Sequence, residues 1–141
     1  FLRNMTDNAL GNRPPLGLVR DFVVGEGNLL DLKFNGITPF VDAARIFGLA
    51  AGVSETATVR RLRAAGENWH MEAGEVEGWI DAFLYIQLLR LRLQHDQAER
   101  GVAMGNKVDP DTLNNLDRRI LLEAFRQGRR IQSVLEKYFQ F

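Results

Sequence analysis

The 141-residue sequence predicts a mainly α fold, an up-and-down helical bundle of about four main helices with a short N-terminal helix and a β-hairpin. Three observations carry that expectation. After Gly36, apolar residues recur at three- and four-residue intervals through four segments bounded by proline and glycine. Only between Leu16 and Phe34 does the period change to two. A chain this short with 45% hydrophobic residues has enough apolar material for one core, which argues for a single domain.

The elements follow in order. Phe1, Leu2, Met5, Ala9 and Leu10 keep helical spacing, and Gly11 with Pro14-Pro15 stops that helix. Leu16, Leu18, Phe22 and Val24 then share one face of a strand. Leu30, Leu32 and Phe34 alternate with Asp31 and Lys33 in a second, and Gly25-Glu26-Gly27-Asn28 supplies the turn. A helix is expected over 39–51, with Pro39 in its first turn and Gly52 at its stop. A short one follows Ser54, a good N-cap residue, and ends near Gly66. Residues 73–100 form a long helix. Asp109-Pro110 opens the last, which runs to Tyr138 or Phe139 with Leu113, Leu116, Ile120, Ala124, Ile131 and Leu135 along one stripe. The two long helices are antiparallel partners across 101–107, and 64–74 is the connection with most freedom, anchored at Trp69.

Composition excludes several function classes. Eighteen basic and 18 acidic residues cancel, against a nucleic-acid or membrane-surface binder, which carries a basic excess. Zero cysteines exclude disulfides, thiolate metal sites and cysteine nucleophiles. The most apolar stretch, 79–93, is interrupted by Asp81, Gln87, Arg90 and Arg92 and is too short to span a bilayer, so the expected location is cytoplasmic. Of the basic residues only Lys33, Lys107 and Lys137 are lysines. The rest are arginines, whose planar fork suits carboxylates and phosphates. The chain begins at Phe1, which suggests a piece of a longer protein.

Polar residues inside apolar helices are the candidate site. Asp42 and Arg45 interrupt an otherwise apolar helix at i,i+3, and Gln87, Arg90 and Gln94 form a stripe on another. These residues and Glu123 either satisfy one another in an interhelical network or line a polar pocket open to an anionic or amide-bearing ligand. Other motifs read as structure. Asp109-Pro110-Asp111 has the form of a metal-binding acidic pair, but its place before a helix favours capping. His95-Asp96 with His70 would be a sparse metal set. Arg60, Arg61 and Arg63 form a small basic cluster best read as a solvated helix face, with phosphate contact as its alternative. Gly25-Glu26-Gly27 lacks the third glycine of a dinucleotide fingerprint.

Five segments in order resemble one family. They are Pro-Pro-Leu-Gly with Arg-Asp-Phe-Val-Val (14–24), Leu-Asp-Leu-Lys-x-x-Gly-Ile-x-Pro-Phe-Val-Asp-Ala-Ala-Arg (30–45), the 56–62 helix with Arg-Leu, Leu-Arg-Leu-Arg-Leu-Gln (89–94) and Leu-x-x-Leu-Asp-Arg-Arg…Glu-Ala-Phe-Arg (113–126). In spacing the chain is similar to the C-terminal substrate-binding domain of bacterial nucleotidyltransferases that carry CBS and cyclic-nucleotide-binding domains. The 56–62 segment departs from the family's Asn-Thr-x-x-Arg-Leu pattern by reading Thr56-Ala57-Thr58-Val59-Arg60-Arg61-Leu62.

The resemblance implies that 13–141 is the substrate-binding helical domain and 1–12 a linker helix or the tail of a domain upstream. The family's catalytic signature, a Gly-Ser pair followed by Asp-x-Asp on a strand, is missing here, so the catalytic domain with its Mg2+ and nucleoside triphosphate is expected upstream, and no cofactor in this chain. The implied substrate-binding residues are Asp31, Lys33, Asp42, Arg45, Arg90, Gln94 and Arg126. The expected partners are the upstream transferase domain, a protein or small-molecule acceptor and a second copy in a homodimer. The alternative role is a helical interaction or dimerisation module relaying signals from the upstream sensor domains.

Overall fold

The computed structural model describes residues 2–11 and 29–139. It is mainly α, as expected. Helix α1 (Leu2–Leu10) is followed by strand β1 (Leu30–Asp31), a π-helical turn (Leu32–Ile37), and helices α2 (Thr38–Ala50), α3 (Thr58–Asn68) and α4 (Ala73–Glu99). Strand β2 (Lys107–Val108) and a 3-10 turn (Pro110–Thr112) then lead to α5 (Asn115–Tyr138). The first strand and the turn of the expected hairpin lie outside the described residues.

Helix α2 is the centre of the bundle because it is apolar nearly all round. Phe40, Ala43, Ala44, Ile46 and Phe47 are buried, and α1, α3 and α5 pack around it. Trp79, Ile86, Leu121, Phe125, Ile131 and Leu135 complete the core from α4 and α5. Those two helices run antiparallel, as Arg130 Nε donates to Glu75 at 2.6 Å at one end and Tyr85 reaches Asp117 at the other. Helix α1 docks on α2 and α5 and buries Ala9, whose carbonyl accepts from Gln132 Nε2. Trp69 anchors the turn after α3 by packing edge-on against Phe47 and Tyr138.

Local differences from the expectation have physical causes. The alternation at Leu30 and Leu32 does not continue to Phe34. The Asp31 carboxylate accepts the Phe34 N–H at 2.8 Å and turns the chain into a π-helix, which the Thr38 N–H closes on the Lys33 carbonyl. The turn lies so close to its neighbours that a Cβ on Gly36 would stand 2.9 Å from Ile86 Cγ2. Strand β1 pairs antiparallel with β2, Leu30 opposite Val108 and Asp31 opposite Lys107. Helix α3 starts at Thr58 instead of directly after Ser54, with Ala57 extended and no side-chain cap. The last helix does not run unbroken from Asp109-Pro110. Leu113 and Asn114 are extended, and the Asn114 side chain takes the Asp117 N–H at 2.7 Å, so α5 begins afresh at Asn115.

Candidate functional site

The site grows from the way α4 ends. Gly101, at φ 68°, closes a C-terminal motif in which Val102 donates to the Gln97 carbonyl and Gly101 to that of Ala98. The chain then folds back along the helix that it has just left. Gln97 Oε1 accepts the Gly105 N–H at 2.9 Å. One turn earlier, Asn106 Oδ1 accepts from Arg90 Nε at 2.5 Å and from Gln94 Nε2 at 3.3 Å. The i, i+4, i+7 spacing of Arg90, Gln94 and Gln97 puts all three on the face that the returning segment crosses. The Asn106 carbonyl accepts the Leu32 N–H at 2.8 Å, so one asparagine joins α4 to the strand pair.

Beside this clamp lies a cavity of about 510 Å3 between the end of α4, β2 and the start of α5. Leu89, Leu93, Val108 and Leu113 give it an apolar lining, and Arg92, Asp96, Arg100, Lys107, Asp109 and Asp117 surround it with charge. The cations have spare donors. Arg100 meets Asp96 at 3.2 Å, Arg92 meets Asp117 at 3.8 Å, and Lys107 has no ion-pair partner among the described residues. Tyr85 Oη donates to Asp117 Oδ1 at 3.1 Å, and burial, reinforced by this bond, pushes the phenol above its ordinary range. A second cavity, about 360 Å3 between α4 and α5, is lined largely by apolar and neutral groups around Ala82, Tyr85 and Ile120. The larger cavity has the chemistry to hold an anionic ligand with an apolar body. Among the described residues, no group of three His, Asp or Glu could hold a metal ion.

The sequence-predicted residues divide. Arg90 and Gln94 meet at Asn106. Asp31 stands opposite Lys107 in the strand pair, and exposed Lys33 follows within the π-helical turn. Asp42 and Arg45 pair with each other at 4.0 Å on α2, where burial raises the Asp42 carboxyl against the lowering effect of Arg45. Arg126 pairs with Glu123 at 3.6 Å on α5. None of the seven residues, Arg90, Gln94, Asp31 and Lys33 included, lines the cavity. Asp42 with Arg45, Glu123 with Arg126, and Arg90 and Gln94 with Asn106 therefore form separate local groups, not one interhelical network. His70 precedes α4 and His95 lies near its far end, so the helix between them alone separates the two by roughly 33 Å, too far to share a metal. Asp109 caps the 3-10 turn by accepting from Asp111 N at 2.9 Å, the role expected from its position.

A family model described as "putative nucleotidyltransferase substrate binding domain" matches residues 1–139. The chain belongs to that family. No curated protein and no solved structure matches it. It is thus a substrate-binding domain of the kind associated with nucleotidyltransferases. The segments that carry the family pattern supply part of the clamp and of the cavity beside it, and the rest comes from residues 96–112. Residues 89–94 supply Arg90, Arg92 and Gln94, residues 113–126 supply Asp117, and residues 30–45 begin with β1.

Arg92, Arg100, Asn106, Lys107 and Asp117 are the site residues that the sequence-predicted set did not contain. Asn106 and Lys107 fall in a segment that reads as a plain connection, and Asp117 reads as one charge on a helix face. The available signal is the run Gly105-Asn106-Lys107-Val108, two polar residues between a glycine and an apolar residue facing a helix with three polar groups on one stripe.

Proposed function

We propose that this domain positions the acceptor for nucleotidyl transfer by a catalytic domain upstream, and that the acceptor occupies the cavity at the end of α4. Arg92, Arg100 and Lys107 hold its anionic group by charge-assisted hydrogen bonds, and Leu89, Leu93 and Val108 pack its apolar body. Arg90, Gln94 and Asp31 act on the walls. The first two hold Asn106, and Asp31 sets the start of the π-helical turn that carries Lys33 to the surface. Mg2+ and the nucleoside triphosphate belong to the catalytic domain, and bacterial CBS and cyclic-nucleotide-binding domains further upstream regulate it in the cytoplasm. The observation that supports the reading is Lys107, without an ion-pair partner among the described residues, beside Arg92, which meets Asp117 only at 3.8 Å, over an apolar lining that also carries Asp96 and Asp109, within a chain of this family.

The test joins the domain to its transferase and measures transfer with Lys107→Ala and Arg92→Ala. The expected result is a KM for acceptor raised by about tenfold or more, with the KM for the triphosphate unchanged. Unchanged acceptor kinetics in folded variants contradict the assignment. No helix of the described residues is long and apolar enough to cross a membrane.

A further inference from the structure

A third cavity, of about 260 Å3, lies between the turn after α3, the start of α4 and the end of α5. It shares no lining residue with the candidate acceptor cavity and occupies the other end of the α4–α5 pair. Its wall carries two acids and two bases, Glu72 and Glu75 at the start of α4 and Arg130 and Lys137 on α5. Glu75 and Arg130 satisfy each other at 2.6 Å. The Glu72 carboxylate and the Lys137 ammonium line the same cavity without meeting, and neither has a hydrogen bond or ion pair among the described residues. Two independent features accompany them. Trp79, which also lines the cavity, is 1% exposed, and its indole N–H has no acceptor among the described residues, a rare state for a buried donor. His70, another lining residue, takes at φ 53° the left-handed position that glycine holds after α2 and α4. A side chain kept where glycine is easier points to a use for that side chain.

We infer that this cavity binds a small zwitterion of the α-amino acid class. Once Glu75 and Arg130 are paired, the wall offers one unpaired anion from one helix and one unpaired cation from the other. That arrangement complements a ligand carrying both charges better than a simple anion or a simple cation. The ammonium of the ligand pairs with Glu72 and its carboxylate with Lys137, through charge-assisted hydrogen bonds. Met71 and Val134 give the lining its aliphatic part, against which a short apolar side chain packs. The volume lies below the roughly 300–1,000 Å3 of pockets for drug-sized ligands, which limits the occupant to a small molecule. Because the two cavities are separate, the inference does not depend on the acceptor assignment.

Isothermal titration calorimetry of the full chain tests it, with L-alanine, L-valine, L-leucine and L-methionine as probes. At least one of them binds with a dissociation constant below about 10 mM. The matching amine without the carboxylate, and the matching acid without the amino group, each bind about tenfold more weakly or worse. Glu72→Gln and Lys137→Gln each weaken binding by about tenfold. Glu67→Gln, the same change at an exposed carboxylate outside the cavity, leaves binding in place. The ligand-free melting temperature separates this role from a purely structural one. Glu72 stands at the N-terminus of α4 and Lys137 in the last turn of α5, where each also complements a helix dipole. Variants that melt lower yet bind as the wild type does overturn the assignment. An acid analogue that binds as tightly as its parent amino acid overturns the zwitterion, and no binding by any of the probes at about 10 mM overturns the inference.

Discussion

Arg90 of α4 donates through Nε to the side-chain oxygen of Asn106 at 2.5 Å, and the carbonyl of that asparagine takes the Leu32 N–H at 2.8 Å. A single residue of the connection thereby fastens a helix on one side and a strand on the other. Asn106→Ala removes the acceptor of a half-buried guanidinium and of Gln94, and should cost about 1–3 kcal/mol in urea denaturation. Asn106→Asp, which keeps an acceptor under Arg90, should lose much less. Equal losses in the two variants would show that Arg90 does not depend on this bond.

Three helices end in the same hydrogen-bond pattern, and they differ in one residue. Gly52 and Gly101 occupy the left-handed position after α2 and α4, at φ 71° and 68°, whereas His70 occupies it after α3 at φ 53°. Met71 donates to the Gly66 carbonyl and His70 to that of Glu67, so the motif at α3 is complete. His70→Gly should therefore stabilise the fold by about 0.5–1 kcal/mol, and Gly101→Ala should destabilise it by a similar amount. Thermal unfolding of both variants checks the pair.

Tyr85 couples stability to alkaline pH. Its folded-state value lies above the ordinary phenol range, from burial first and the Asp117 bond second. Above about pH 10 the unfolded chain loses this proton while the native chain keeps it, so stability falls as pH rises. Tyr85→Phe should cost about 1 kcal/mol at neutral pH, and its deficit should shrink as pH passes 10. A deficit constant from pH 7 to 11 would contradict the assignment.

Asp42 acts in the acid range with its own sign. Burial outweighs the attraction of Arg45 and raises its carboxyl, so the native state binds this proton more tightly than the unfolded chain does. Its contribution is favourable below the ordinary carboxylate range and is lost as pH rises through the raised value. Asp42→Asn should thus gain on the wild type between about pH 3.9 and the upper end of that window, then hold its advantage to neutrality. Urea midpoints across this range measure it, and a variant whose advantage grows toward low pH would refute the sign.

The bundle was legible because periodicity over long segments leaves little choice. The all-round apolar character of Phe40 to Phe47 marks the central helix without any structure. Short-range competition for backbone N–H groups was less visible. Asp31 and Asn114 each capture an N–H three residues ahead, and that bends a predicted strand into a π-helix and divides a predicted helix in two. At the site, the stripe of Arg90 and Gln94 was readable as a polar face seeking partners. Its partner Asn106 was not, because the return of the chain along α4 is a tertiary event that no local pattern encodes.

The most direct test of the central claim is acceptor kinetics of the domain joined to its transferase, with Lys107→Ala compared with Arg126→Ala, which alters a charge far from the cavity. The account predicts that Lys107→Ala raises the acceptor KM by about tenfold and leaves the triphosphate KM in place, while Arg126→Ala changes neither. Equal acceptor KM values in the two folded variants would contradict it.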